Sequence, residues 1–166
     1  TSNDILLPQE TIDAMRRLMM PGTALMTPNA PEAEVLTGKA VDGINGQRRA
    51  AEELLEMGAT AALVKGGHVP GDVIVDVLAT QSGEHFFEGE RIDTKATHGT
   101  GCTLASGVAA GLARGLALPD AVALARAYLV EAIRRAPGLG AGNGPVDHGW
   151  PSRDPEAFAT MFAKWR

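Results

Sequence analysis

The sequence predicts an α/β fold, a mostly parallel sheet flanked by helices with a β-hairpin insertion, and three observations predict it. Short apolar runs of strand character, "TALMT" and "AALVKGG", alternate with segments of helical period through the first half of the chain. Alternation of that kind gives parallel strands whose faces are covered by helices. The runs "DVIVDVLAT" and "GEHFFEGE" lie on either side of "QSG", the pattern of a hairpin. With 166 residues, 45% of them hydrophobic, the chain is sized for one domain with its own core.

Each element has its own signal. Ile12, Met15 and Met19 share a face and predict a helix over about residues 9–20. "TALMT" reads as a short buried strand ending at Pro28, and "APEAEVLTG" as a short helix with Pro31 in its first turn and Gly38 at its end. Residues 46–57 form an amphipathic helix stopped by Gly58, and "AALVKGG" is the second buried strand, followed by the hairpin. In "ATHGTGCTLASG", residues 96–107, a glycine-rich turn runs straight into a helix. Thr103, Leu104, Ala105, Val108, Ala109 and Leu112 recur three and four apart there, as on a helix packed on one side. Val122, Ala125, Leu129 and Ile133 predict a further helix over about 119–135, and residues 138–149 are glycine-rich enough to be a loop. A last helix over about 154–165 carries Phe158, Met161, Phe162 and Trp165 as a core seam.

Composition narrows the function classes. The net charge of −5, the pI near 5.3 and the absence of a basic block argue against a nucleic-acid or anionic-membrane partner and leave a small molecule. A single cysteine forms no internal disulfide, no apolar run approaches the roughly 20 residues of a membrane span, and "TSNDILLPQE" is not a signal peptide. A cytoplasmic setting is the expectation.

Three unusual stretches fall at or after the carboxyl ends of strands, where open α/β sheets bind ligands: "TPNAPE", "VKGGH" and "THGTGC". A helix N-terminus carries unpaired N–H groups and the positive end of the macrodipole, together an anion site. Gly99, Thr100 and Gly101 would supply the donors and Cys102 would stand at the mouth. The plain alternative is a loop and a buried cysteine before a core helix. In another chemistry Cys102 is a covalent nucleophile activated by His98, four residues away. His68, His85 and His148 lack the spacing of a metal site.

"TPNAPEAEVLTG", "LVKGGH", "DTKATHGTGCTLASGVAAGLARG" and "GNGPVDH", in this order, closely resemble the hydroxymethylpyrimidine/phosphomethylpyrimidine kinases of thiamine biosynthesis, in the ribokinase superfamily. The resemblance runs from about Leu6 to His148. It implies a ribokinase-like fold and ATP-dependent phosphorylation of 4-amino-5-hydroxymethyl-2-methylpyrimidine, then of its monophosphate, with Mg²⁺ as cofactor. Asn29 and Glu32 match the superfamily's N-x-x-E box, associated with Mg²⁺ and phosphate, with contacts to the metal through water. From its position alone Glu32 reads as a first-turn acid favoured by the helix dipole, and Glu34 as its solvent-facing neighbour. Gly99, Thr100 and Gly101 match the anion hole for the transferring phosphoryl group, and Cys102 stands where the sugar kinases carry an aspartate base. Lys65, with Gly66 and Gly67 behind it, and Thr97 fall to the nucleotide, although a strand-end lysine that snorkels to the surface would be ordinary. His98 would orient the turn or serve as a structural hydrogen-bonding residue.

The family's N-terminal "GSDSGGGAGIQAD"-like segment has no counterpart in this sequence. Residues 1–166 therefore resemble the C-terminal, nucleotide-binding part of one kinase domain, expected to be a homodimer at full length. A pyridoxal kinase of the same superfamily and a truncated, non-catalytic nucleotide-binding remnant are the competing readings.

Overall fold

Four apolar residues with no polar break, Ala61–Val64, form strand β1 in the computed structural model, which describes residues 8–165. Strands β2 (Val73–Thr80) and β3 (Gly83–Glu90) complete a three-stranded sheet of order β1-β2-β3. Both pairings are antiparallel: β1 meets β2 from Ala61↔Thr80 to Val64↔Val77, and the predicted hairpin closes at Thr80↔Gly83 around Gln81 and Ser82.

The predicted parallel pairing is present in a reduced form. Residues 23–29 lie extended along the other edge of β1, with Met26 N–H donating to Ala61 O (2.9 Å), Leu63 N–H to Met26 O (2.8 Å) and Lys65 N–H to Pro28 O (2.9 Å). Only the parallel bridges Met26↔Ala62 and Asn29↔Lys65 form there, so "TALMT" is a bridged segment rather than a strand. Pro28 has no N–H to donate to β1, and the ladder loses that bond.

The chain divides into two compact units, one ending at Arg91 and the other beginning at Ile92. In the first, α1 (Gln9–Ala14) continues as a π-helical turn over Met15–Met19, followed by α2 (Ala30–Thr37) and α3 (Gly43–Glu56). The π turn corrects the predicted face of the first helix. Met20 N–H bonds to Met15 O, five residues back, so Met20 is buried where a regular helix would have turned Met19 inward. Met19 is left 63% exposed.

Helix α3 starts three residues before its predicted position, and buries Gln47, Ala50, Ala51 and Leu54 while Arg49 and Glu52 face water. Ile12, Met20, Ala33, Leu36, Ala51, Leu54, Ala62 and Val64 share one apolar cluster. Fully burying a side chain such as Leu54 contributes about 1.5–3 kcal/mol. Arg48 of α3 grips Glu84 of β3 with Nε at 3.0 and 2.9 Å from its two carboxylate oxygens.

In the second unit α4 (Thr100–Ala113) packs on α5 (Leu118–Arg134). The contact is made by small residues: a Cβ on Gly107 would sit 2.9 Å from that of Ala125, and one on Gly111 2.9 Å from that of Ala121. This moves the buried stripe to Leu104, Val108 and Gly111, and leaves Ala109 and Leu112, both predicted on the packed face, exposed. The predicted final helix is present as α7 (Pro155–Phe162) with a 3₁₀ turn over Ala163–Trp165, and an unpredicted short helix α6 (Trp150–Arg153) precedes it, separated at Asp154. The Asp154 side chain caps α7 by accepting from Ala157 N–H (3.1 Å). Phe158 and Met161 of the expected seam pack on buried Trp150, whose ring lies 5.8 Å from Tyr128 and 5.6 Å from Phe158.

Candidate functional site

Asn29 is the N-cap of α2, and the predicted pair with Glu32 is realised as a capping box. Asn29 Oδ1 accepts Glu32 N–H (2.8 Å) while Glu32 Oε2 accepts Asn29 N–H (2.7 Å). Glu32 thus does more than complement the helix dipole, since it supports the backbone of the residue that caps its own helix. Its carboxylate is 58% exposed and commits one of its two oxygens to the cap. Glu34 is no idle neighbour either: its Oε1 accepts Val41 N–H (2.8 Å) and ties down the chain after α2.

Lys65 follows β1 directly. Its N–H bonds to Pro28 O, its backbone bridges Asn29, and its Nζ lies 4.0 Å from Glu32 Oε2 with the side chain 17% exposed. The structure therefore gathers Asn29, Glu32 and Lys65 at one place, an amide oxygen, a carboxylate and an ammonium within reach of a common ligand.

Gly66 and Gly67, predicted together, have different surroundings. Gly66 is buried, its N–H goes to Asp76 Oδ1 (2.8 Å), and a Cβ on it would stand 2.1 Å from Val75 O. Its amide is committed. Gly67 is exposed with nothing within 4 Å of a Cβ. His68, beside them, is exposed at its surface. The protein packed around it, then the charge of Lys65, push its imidazole below the ordinary histidine range against the opposing pull of Glu32.

In the second unit the N-cap of α4 is Gly99, whose φ of 81° belongs to the left-handed region that favours glycine. Thr103 N–H closes the first turn onto Gly99 O (2.9 Å), and no side chain caps the helix. The amides of Thr100, Gly101 and Cys102 are thus the first-turn donors, at the positive end of a fourteen-residue helix. Thr100 Oγ1 donates to Thr97 O (3.1 Å) and Thr103 Oγ1 to Gly99 O (2.8 Å), which stiffens the turn from both sides. Cys102 is exposed, which corrects the alternative of a buried thiol.

His98 supports the turn through its backbone. Its N–H bonds to Gly144 O (3.1 Å) and it bridges Pro145, joining "THGTGC" to "GNGPVDH". Among the described residues no hydrogen bond joins His98 to Cys102, so the base required by a covalent-nucleophile reading has no such contact. Near this turn a cavity of about 290 Å³ is lined by Ile92, Ala96, Ile133, Leu139 and the glycines of residues 138–144, together with the polar Asp93, Lys95 and Arg134.

Sequence reasoning missed Arg91, Gln47 and Asp76. Arg91 spends its guanidinium on three carbonyls after "VKGG", those of Gly67 (2.8 Å), Val69 (2.5 Å) and Gly71 (2.7 Å). Nothing in its local sequence signals that role. Asp76 carries a readable signal, an acid in the middle of an apolar strand.

The sequence pattern of the phosphomethylpyrimidine kinase family matches residues 1–147. A hydroxymethylpyrimidine/phosphomethylpyrimidine kinase of Streptomyces coelicolor is 47% identical over 147 residues, 89% of this chain and 54% of that protein. The chain thus spans about half the length of such relatives. Among solved structures, an ADP complex of Bacillus subtilis pyridoxal kinase superposes with a TM-score of 0.81 at 31% identity, covering 87% of this chain and 57% of that one. Phosphomethylpyrimidine kinase from Clostridium difficile gives 0.66 at 34% identity, over 77% of this chain and 51% of that one. The fold is the ribokinase-like α/β fold expected from the motifs.

Proposed function

Because this chain belongs to the phosphomethylpyrimidine kinase family, we propose that it supplies the nucleotide-handling part of a single kinase domain that uses ATP and Mg²⁺. The acceptor is 4-amino-5-hydroxymethyl-2-methylpyrimidine and then its monophosphate, in thiamine biosynthesis. The observation that carries this reading is the first turn of α4, where the Thr100, Gly101 and Cys102 amides follow left-handed Gly99 with no side-chain cap. Three converging N–H groups at a helix N-terminus suit a phosphoryl group.

Phosphoryl transfer asks the protein mainly to position groups and neutralise charge. The amides of α4 hold the transferring phosphoryl group, with Thr97 in the same turn, whereas Lys65, with Gly67 two residues on, offsets charge on the nucleotide phosphates. Asn29 and Glu32 present oxygen ligands, the type Mg²⁺ prefers, and the capping box leaves acceptor capacity on both for a metal held through water. Bound there, Mg²⁺ would offset phosphate charge. Cys102, exposed beside the amides, takes the proton of the attacking hydroxyl as its thiolate and becomes the thiol. In a loose transition state that proton leaves late, so its acceptor contributes modestly. The Ile92, Ile133 and Leu139 side chains and glycine backbone of the 290 Å³ cavity suit the flat base of the nucleotide, with Asp93, Lys95 and Arg134 supplying polar groups in the same lining. The working enzyme is a cytoplasmic homodimer in this reading.

A second reading, pyridoxal kinase, is favoured by the likeness to the Bacillus subtilis enzyme. The test offers the purified whole protein that carries this chain Mg·ATP with both alcohols in competition. Faster phosphorylation of the pyrimidine is expected; a preference for pyridoxal would select the second reading, and transfer to neither would leave the non-catalytic remnant.

A further inference from the structure

Two buried polar side chains, Gln47 and Asp76, sit where the β1–β2 ladder stops. The ladder ends at Val64↔Val77, one residue before Lys65. From there the Lys65 backbone bonds across to Pro28 and Asn29, on the edge of β1 away from β2. In place of further ladder bonds, Gln47 Nε2 donates to Val64 O (3.0 Å) and Val75 O (2.8 Å), and Asp76 Oδ1 accepts Gly66 N–H (2.8 Å). Gln47 is 1% exposed and Asp76 6%.

Burying a carboxylate and an amide is costly unless hydrogen bonds compensate, and an apolar pair would fill the same space at lower cost. The polar pair does what apolar residues cannot. It satisfies the main-chain groups on either side of Lys65 while the chain leaves the ladder: the carbonyl before it, at Val64, and the amide after it, at Gly66. We propose that Asp76 and Gln47 are positioning residues for nucleotide binding. They fix the exit of β1 so that the Lys65 ammonium is held beside the Asn29–Glu32 cap, and they act on phosphate only through Lys65. This rests on the kinase reading, in which Lys65 meets the nucleotide.

A double-mutant cycle on the whole protein that carries this chain tests it, with ATP affinity read by calorimetry and folding by circular dichroism. Asp76→Leu should weaken ATP binding about tenfold or more, the scale of one lost charge-assisted hydrogen bond. Asp76→Asn keeps an acceptor for Gly66 N–H and should restore most of the affinity. In a Lys65→Met background Asp76→Leu should change ATP affinity no further, a non-additivity that a merely structural role would not produce. Should Asp76→Leu not fold, Asp76→Ser, too short to reach the Gly66 amide without movement, carries the same cycle. Wild-type affinity in a folded Asp76→Leu protein, or additive effects with Lys65→Met, would overturn the proposal. If the parent protein binds no ATP, the kinase reading itself fails and this assignment with it.

Discussion

Replacing Gly66 by alanine should be among the most damaging single-methyl changes in the first unit. The new Cβ would stand 2.1 Å from Val75 O, 3.0 Å from Val75 C and 3.1 Å from Gln47 Nε2. The oxygen belongs to the backbone of a central strand, so no side-chain rotation relieves the clash, and a displacement near an ångström must be shared between β2 and the chain leaving β1. Overpacking of that kind costs about 1–3 kcal/mol. Moving Gly66 also stretches its bond to Asp76, a charge-assisted contact whose loss costs about 1.5–3 kcal/mol. Together these give about 2.5–6 kcal/mol, and at roughly 2–4 °C per kcal/mol for a protein of this size the melting temperature should fall by about 5–24 °C. Gly67→Ala is the control: nothing lies within 4 Å of its Cβ, and the change should stay within about 0.5 kcal/mol. Thermal unfolding of both variants by circular dichroism decides the matter. Equal, small shifts would refute the close approach of Gly66 to β2.

Three further outcomes follow from the geometry. The His68 ring should titrate below the ordinary value of about 6.5, with Lys65→Met raising its midpoint and Glu32→Gln lowering it. The folded pKa is the lower one, so His68 contributes stability that is lost as pH falls from the ordinary value through the folded one; a midpoint at or above the ordinary value in the parent protein would contradict this surrounding. Gly99→Val has open space at its Cβ but a φ of 81°, so it should cost about 1–2 kcal/mol of backbone strain yet slow transfer by about 10²-fold or more; unfolding and turnover measured together separate the two, and unaltered turnover would remove the anion hole. Hydrogen bonds from Arg153 and from Arg135 hold the Asp147 and Asp154 carboxyls, respectively, below the usual range. Their stabilisation persists above the ordinary carboxylate pKa and disappears as pH falls through the lowered values, so Arg135→Met should move the acid transition seen by tryptophan fluorescence to higher pH, and an unmoved transition would discount the pair.

Local patterns carried much of the architecture. Pro31 and Gly38 bracket α2 as their backbone preferences require, and the hairpin around Gln81 and Ser82 was legible from two apolar runs and a short polar link. What escaped depends on contacts between distant residues. The π turn that buries Met20 rather than Met19 is a choice between hydrogen-bond partners that periodicity does not encode. The α4–α5 seam of Gly107, Gly111, Ala121 and Ala125 has too little hydrophobic contrast to stand out against Leu112. Motif spacing marked Asn29, Glu32 and Lys65 in one unit and residues 99–102 in the other as candidates. It could not show that Asn29 and Glu32 cap each other, or that Gly66 gives its amide to a carboxylate ten residues away.

In the proposed function the amides opening α4 hold the phosphate of a bound nucleotide. Amide chemical shifts recorded while a non-hydrolysable ATP analogue and Mg²⁺ are added to the protein report on that contact residue by residue. The Thr100, Gly101 and Cys102 amides should show the largest saturable shifts, accompanied by Lys65, whereas the adenosine analogue lacking phosphates should leave those three unmoved. Saturable binding of the ATP analogue with those amides unshifted would contradict the claim.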